Sequence, residues 1–126
     1  MSRKEKGKES SSDSSVQVRE FYERMPYPAP LTSLEKEREL YQNPERRRVL
    51  FHRLWPAEAL HGNLEILVAG CGTSQAARHA LREPEARITA IDISETSLNY
   101  TRELQRKYNL ENLELHQLPI ENVHQL

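Results

Sequence analysis

One cysteine, one tryptophan, two phenylalanines and four glycines are all that 126 residues hold of these types. The single cysteine, Cys71, excludes an internal disulfide, and no Cys/His spacing resembles a zinc site, so no metal is expected. Long apolar runs are missing as well. The longest uncharged one, Ile66 to Ala69, is far short of a membrane span. No basic segment precedes an apolar one in the manner of a secretory signal, so a soluble, cytoplasmic protein is expected. Neither sign of charge is in excess: 18 Lys and Arg stand against 19 Asp and Glu. Such a balance gives no bulk field for nucleic acid or an anionic membrane, and neither partner is expected. Arg46, Arg47 and Arg48 form the one dense basic cluster, and among acids such as Glu45 they read as a solvated helix face. The five histidines are scattered and read as surface or boundary residues.

What is there begins with a polar stretch. Residues 1–15, "MSRKEKGKESSSDSS", carry no apolar residue after Met1 and are expected to form a disordered tail. Residues 16–63 read as a helical cap. Its first helix has Ser15 as the expected N-cap and Val18, Phe21, Tyr22 and Met25 at helical spacing. Pro26, Pro28 and Pro30 end that helix. A second helix has Leu34, Leu40 and Tyr41 as its sparse apolar side, and a third after Pro44 carries Val49, Leu50, Leu54 and Trp55 on one stripe. His61-Gly62-Asn63 is a turn signal.

From Leu64 the pattern alternates. The nearly continuous apolar run 64–70 predicts a buried parallel strand. A helix over 74–84 follows, with Ala76, Ala77, Ala80 and Leu81 on one face. The β-branched run 86–93 predicts a second strand. A helix over 94–109, capped by Ser94 or Thr96 and stopped at Asn109, turns Leu98, Thr101, Leu104 and Tyr108 inward. A third strand spans 112–118, and Pro119 opens a last turn. Right-handed crossovers place these strands in the spatial order 3-2-1, one half of a doubly wound α/β sheet.

The turn Gly70-Cys71-Gly72-Thr73 joins the first strand to its helix. Its glycines admit unusual φ values and let a ligand lie on bare backbone. The helix that follows directs free N–H groups into the same crevice, which suits a phosphate or a carboxylate. The second strand ends at Asp92, 22 positions after Gly70, where a carboxylate can accept hydrogen bonds from a ribose diol. A lone Gly-x-Gly is a weak signal; between a strand and a helix, with that acid at that distance, it is much stronger. The bland alternative is an ordinary strand-to-helix turn with a surface Asp. A dinucleotide fingerprint wants a third glycine at position 75, and Gln75 stands there.

Taken together, "ILVAGCGTS" and "ITAIDIS" resemble the first two motifs of the class I S-adenosylmethionine-dependent methyltransferases, the first of which typically reads Val-Leu-Asp-Leu-Gly-Cys-Gly-Thr-Gly. The resemblance covers residues 64 to about 123. It departs at Val68, where the family has an acid, at Ser74, where it has a last glycine, and at "LPIE", where many relatives place an Asp beside the adenine amine. What it implies is a Rossmann-like domain over 64–126, S-adenosylmethionine as cofactor, and methyl transfer to a small-molecule or protein acceptor. In such a site Ala69, Gly70 and Gly72 face the methionyl part, and the helix after them lies near its carboxylate. Asp92 holds the ribose, Ile93 packs on adenine, and the Ile120 N–H or the Glu121 carboxylate meets the adenine amine. Cys71 sits among these residues as a small apolar filler of the turn.

The family's second half-sheet supplies most acceptor-site residues, so the chain is expected to be an amino-terminal portion, inactive alone. The open edge of its first strand is then a place for self-association. Tyr22 and Tyr27, with Phe21, form either a lid over the cleft or the packing between cap and sheet. Two other readings remain: a half-domain that binds cofactor or protein without chemistry, and half of a nicotinamide-dependent oxidoreductase.

Overall fold

Three short strands rich in Ile, Leu, Val and Ala lie parallel in the order β1-β2-β3: β1 Glu65–Ala69, β2 Arg87–Asp92 and β3 Leu113–Gln117. The computed structural model describes residues 11–59 and 63–126; the expected tail over 1–10 and the His61-Gly62 turn lie outside them. Ahead of the sheet come α1 (Ser11–Arg24), α2 (Glu35–Tyr41) and α3 (Pro44–Leu54). Helix α4 (Gln75–Arg82) links β1 to β2, α5 (Glu95–Tyr108) links β2 to β3, and a 3-10 turn over Ile120–Gln125 follows. Read from the β3 edge this is the 3-2-1 order that right-handed crossovers require, and the fold is Rossmann-like.

Register explains the core. Ile66, Ile88 and Leu113 stand side by side, as do Val68, Ala90 and Leu115, all on the face that packs against the helices. Helix α4 presents Ala76, Ala77 and Ala80, whose small side chains let it approach the sheet closely, and α5 adds Leu98 and Leu104. The opposite face carries Leu67, Thr89 and Glu114 in one row, and Leu67 is 49% exposed. Strand β1 is therefore not the fully buried strand its apolar run predicts. It lies at the sheet edge with helices on one face, and Val68 is its one buried residue.

The helix ends follow local chemistry. Ser94 caps α5 by accepting from the Ser97 N–H at 3.1 Å, and Asn109 ends it in the left-handed region at φ 52°. Past it, the Asn112 side-chain amide faces the carbonyls of Ala80, Glu83 and Ala86 at 3.2, 2.9 and 3.0 Å, tying the end of α4 to the start of β3.

Two expectations for the cap need correcting. Helix α1 includes Ser11 to Ser15, so the last part of the expected tail is helical, and Ser15 lies inside the helix rather than capping it. The Ser15 hydroxyl makes a tertiary contact there, donating to Glu121 at 2.8 Å. In α3 the buried residue is Phe51, whereas Val49 and Leu54 are exposed. The helix docks through the row Arg47, Phe51, Trp55. The Phe51 and Trp55 rings stack 5.0 Å apart, and Arg47 reaches the buried Glu83 at 3.6 Å.

Candidate functional site

Where β1 ends, the chain is hung on β2. The Ile91 carbonyl accepts from both Gly70 and Cys71 N–H, at 2.9 and 3.0 Å. The next amide, Gly72, donates to Asp92 Oδ2 at 2.8 Å. Asp92 Oδ1 accepts from the Ser94 N–H at 2.9 Å, so one carboxylate joins the glycine turn to the start of α5. Each carboxylate oxygen takes one backbone donor and keeps acceptor capacity for a second.

Both glycines have positive φ, 68° at Gly70 and 61° at Gly72. Their reasons differ. A Cβ on Gly70 would meet Ile120 Cδ1 at an ordinary 3.8 Å, so Gly70 is required by conformation alone. A Cβ on Gly72 would lie 2.6 Å from the Tyr27 carbonyl oxygen and 3.0 Å from Pro28 Cδ. The proline-rich segment after α1 thus runs as a strap directly over the turn. Thr73 Oγ1 donates to the Pro28 carbonyl at 2.7 Å, Lys107 to the Thr32 carbonyl at 2.8 Å, and the Leu34 N–H to the Tyr108 hydroxyl at 2.6 Å. Leu34 itself is fully buried in the core.

Between the turn, the strand ends and α1 lies a cavity of about 460 Å³, within the range of about 300–1,000 Å³ usual for small-molecule sites. Gly70, Gly72, Asp92, Ile93 and Ile120 line it. Cys71 does not. It is packed into the core, and burial, with the charge of Asp92, pushes its thiol up to about 12. Ala69 also lies outside the lining, as do Thr73 and Ser74 at the start of α4, both fully buried. The crevice expected in front of that helix is taken by the strap.

Further residues complete the wall, among them the two lid candidates Tyr22 and Tyr27. Ser15, Val18 and Tyr22 come from one face of α1, Ser97 from α5, and Tyr27 from the strap. Ser15, Val18 and Ser97 are not singled out for the site by the sequence, and the helical spacing of Val18 with Tyr22 is the signal that could have added Val18. These side chains do not pack onto the sheet; Val18, Phe21, Tyr22 and Tyr27 are all exposed. Among the described residues that line the cavity, the charged ones are Asp92 and Glu121, both acids.

A family model described as a methyltransferase domain matches residues 60–126. Among solved structures the chain is similar to a precorrin-6y C5,15-methyltransferase from Geobacter metallireducens GS-15, with 19% identity and a TM-score of 0.51 over 80% of this chain and 51% of that one. It is also similar to a coclaurine N-methyltransferase bound to N-methylheliamine and SAH, with 16% identity and a TM-score of 0.47 over 87% of this chain and 38% of that one. The chain spans about half the length of the first and less of the second.

Proposed function

The chain belongs to the methyltransferase-domain family, and on that premise we propose that the cavity holds S-adenosylmethionine and serves methyl transfer from it. One observation carries the choice of cofactor. The charged side chains of the lining are the carboxylates of Asp92 and Glu121, and no Lys or Arg accompanies them among the described residues. A pyrophosphate, with two negative charges, would meet like charge with no cation to offset it, whereas S-adenosylmethionine carries no phosphate and a net positive charge.

The donor set fits the rest of that molecule. Asp92 keeps one acceptor site on each oxygen for a ribose diol, and Gly70 leaves bare backbone beside it. Ile93 offers an apolar surface for the adenine ring, and Glu121 an acceptor for its amine. When bound, the cofactor supplies a methyl carbon activated by attachment to a positively charged sulphur. The chain's own residues bind and orient it: Val18 and Tyr22 close the cavity from α1, and Tyr27 stands at its mouth, 72% exposed. Fixing an acceptor in line with that carbon is the main contribution a protein makes to such a displacement.

Calorimetric titration of the full chain with S-adenosylmethionine, S-adenosylhomocysteine and NAD tests the reading. The sulphur compounds are expected to bind and NAD not to. Asp92→Ala should weaken them at least about 100-fold, because two hydrogen bonds to a charged group are lost at about 1.5–3 kcal/mol each. Tighter binding of NAD, or an unchanged affinity in the variant, would overturn it.

A further inference from the structure

We propose that Glu23 is a positioning residue for this cavity: seated on the first turn of α5, its carboxylate fixes α1 as the cavity's outer wall. Glu23 is not itself part of the lining. Its neighbours on α1 are, since Ser15, Val18 and Tyr22 share the face turned to the cavity.

Apolar burial does little to hold that helix. Val16, Val18, Phe21 and Tyr22 are all exposed, so the usual source of helix stability, an apolar face in the core, is weak here. Polar anchors take its place. At the carboxyl-terminal end, Glu23 accepts from the Glu95 N–H at 2.6 Å and the Thr96 N–H at 3.2 Å, and from the Thr96 hydroxyl. Nearer the other end Ser15 donates to Glu121 at 2.8 Å. Glu23 gathers three donors at the positive end of the α5 dipole, which favours a carboxylate. The hydrogen bond from the Thr96 hydroxyl, joined by the two amides, holds the Glu23 carboxyl below the usual carboxylate range, so it is charged at neutral pH.

The anchor also touches the site. Asp92 takes the Ser94 amide and Glu23 takes those of Glu95 and Thr96, so the two acids hold three consecutive amides of one turn. Releasing Glu23 frees the wall and loosens the turn on which Asp92 is set.

The inference rests on the cofactor reading only for the identity of the ligand, and the test separates the two. Amide hydrogen exchange is followed in the full chain for wild type, Glu23→Ala and Glu23→Gln, each with and without S-adenosylhomocysteine, alongside titration of the same compound. In Glu23→Ala, exchange across residues 14–24 should rise at least about tenfold without ligand, the β1–β3 amides should stay protected, and affinity should fall about tenfold. Glu23→Gln keeps an acceptor oxygen and should lose about threefold, a graded rescue that a general loss of stability would not give. Unchanged α1 exchange in Glu23→Ala overturns the proposal, and so does raised α1 exchange with unchanged affinity. Should Glu23→Ala lose sheet protection, Glu23→Gln decides by the same criteria. Failure of the wild type to take the compound would refute the cofactor reading. The ligand-free exchange would still decide whether Glu23 holds α1.

Discussion

The Tyr27 carbonyl oxygen occupies the space that a β-carbon on Gly72 would need, 2.6 Å from its ideal position. The second glycine of the turn therefore answers to the strap above it as well as to its own positive φ. Gly70 answers to φ alone, since its added carbon would make an ordinary contact. Alanine at Gly70 should cost about 1–2 kcal/mol for the left-handed backbone. Alanine at Gly72 should cost more and leave a second mark, release of the strap. Urea unfolding gives the first quantity, and limited proteolysis between residues 26 and 34 gives the second. Equal costs with an intact strap would contradict this division of roles.

Cys71 sits in the turn but is chemically quiet. Burial and the neighbouring Asp92 push its thiol up to about 12, well above the ordinary cysteine range. Only the thiolate reacts, so alkylation by iodoacetamide at pH 8 should be suppressed about 1,000-fold in the native chain and restored in urea. Cys71→Ala should bind S-adenosylhomocysteine as the wild type does. Rapid native labelling, or loss of binding in the variant, would give the thiol a role it lacks here.

His79 makes stability depend on pH. Burial, and then the adjacent Arg82, lower its pKa, and the Arg82 guanidinium donates to its Nδ1 at 2.7 Å. The unfolded chain, with a histidine pKa of about 6.5, then binds more protons than the folded one below that pH. Its contribution is complete above about pH 6.5 and is lost as pH falls through the lower folded value. Urea midpoints at pH 7.5 and 5.5 should drop less for His79→Gln than for wild type. An equal drop would place the dependence elsewhere.

The alternation of strands and helices was legible because its punctuation is local. Ser94, Asn109 and the glycine turn act through their own backbone and need no distant partner. Asp92 was legible for the same reason, at the end of a β-branched run. The cap was not. Whether Val18 and Tyr22 face a core or a cavity depends on what lies opposite, and that is set by residues far along the chain. Glu23 reads as one more surface acid until α5 stands beside it, and Phe51 was passed over because Val49 and Leu54 offered an equally regular stripe. Cys71 and Ala69 were assigned to the site by their place in a motif. The pleat and the tight turn point both away from the cavity.

The hydrogen bond from Ser15 to Glu121 spans 106 positions. Few closures in a chain this size are more distant in sequence, and ring closure over such a length brings a large entropy cost for one bond. The α1 segment is synthesised 72 positions ahead of Glu95, so the wall of the cavity waits on the first turn of α5 for the anchor of Glu23. Ordering of that wall is thus expected to follow the pairing of β1 with β2, which closes a much shorter loop.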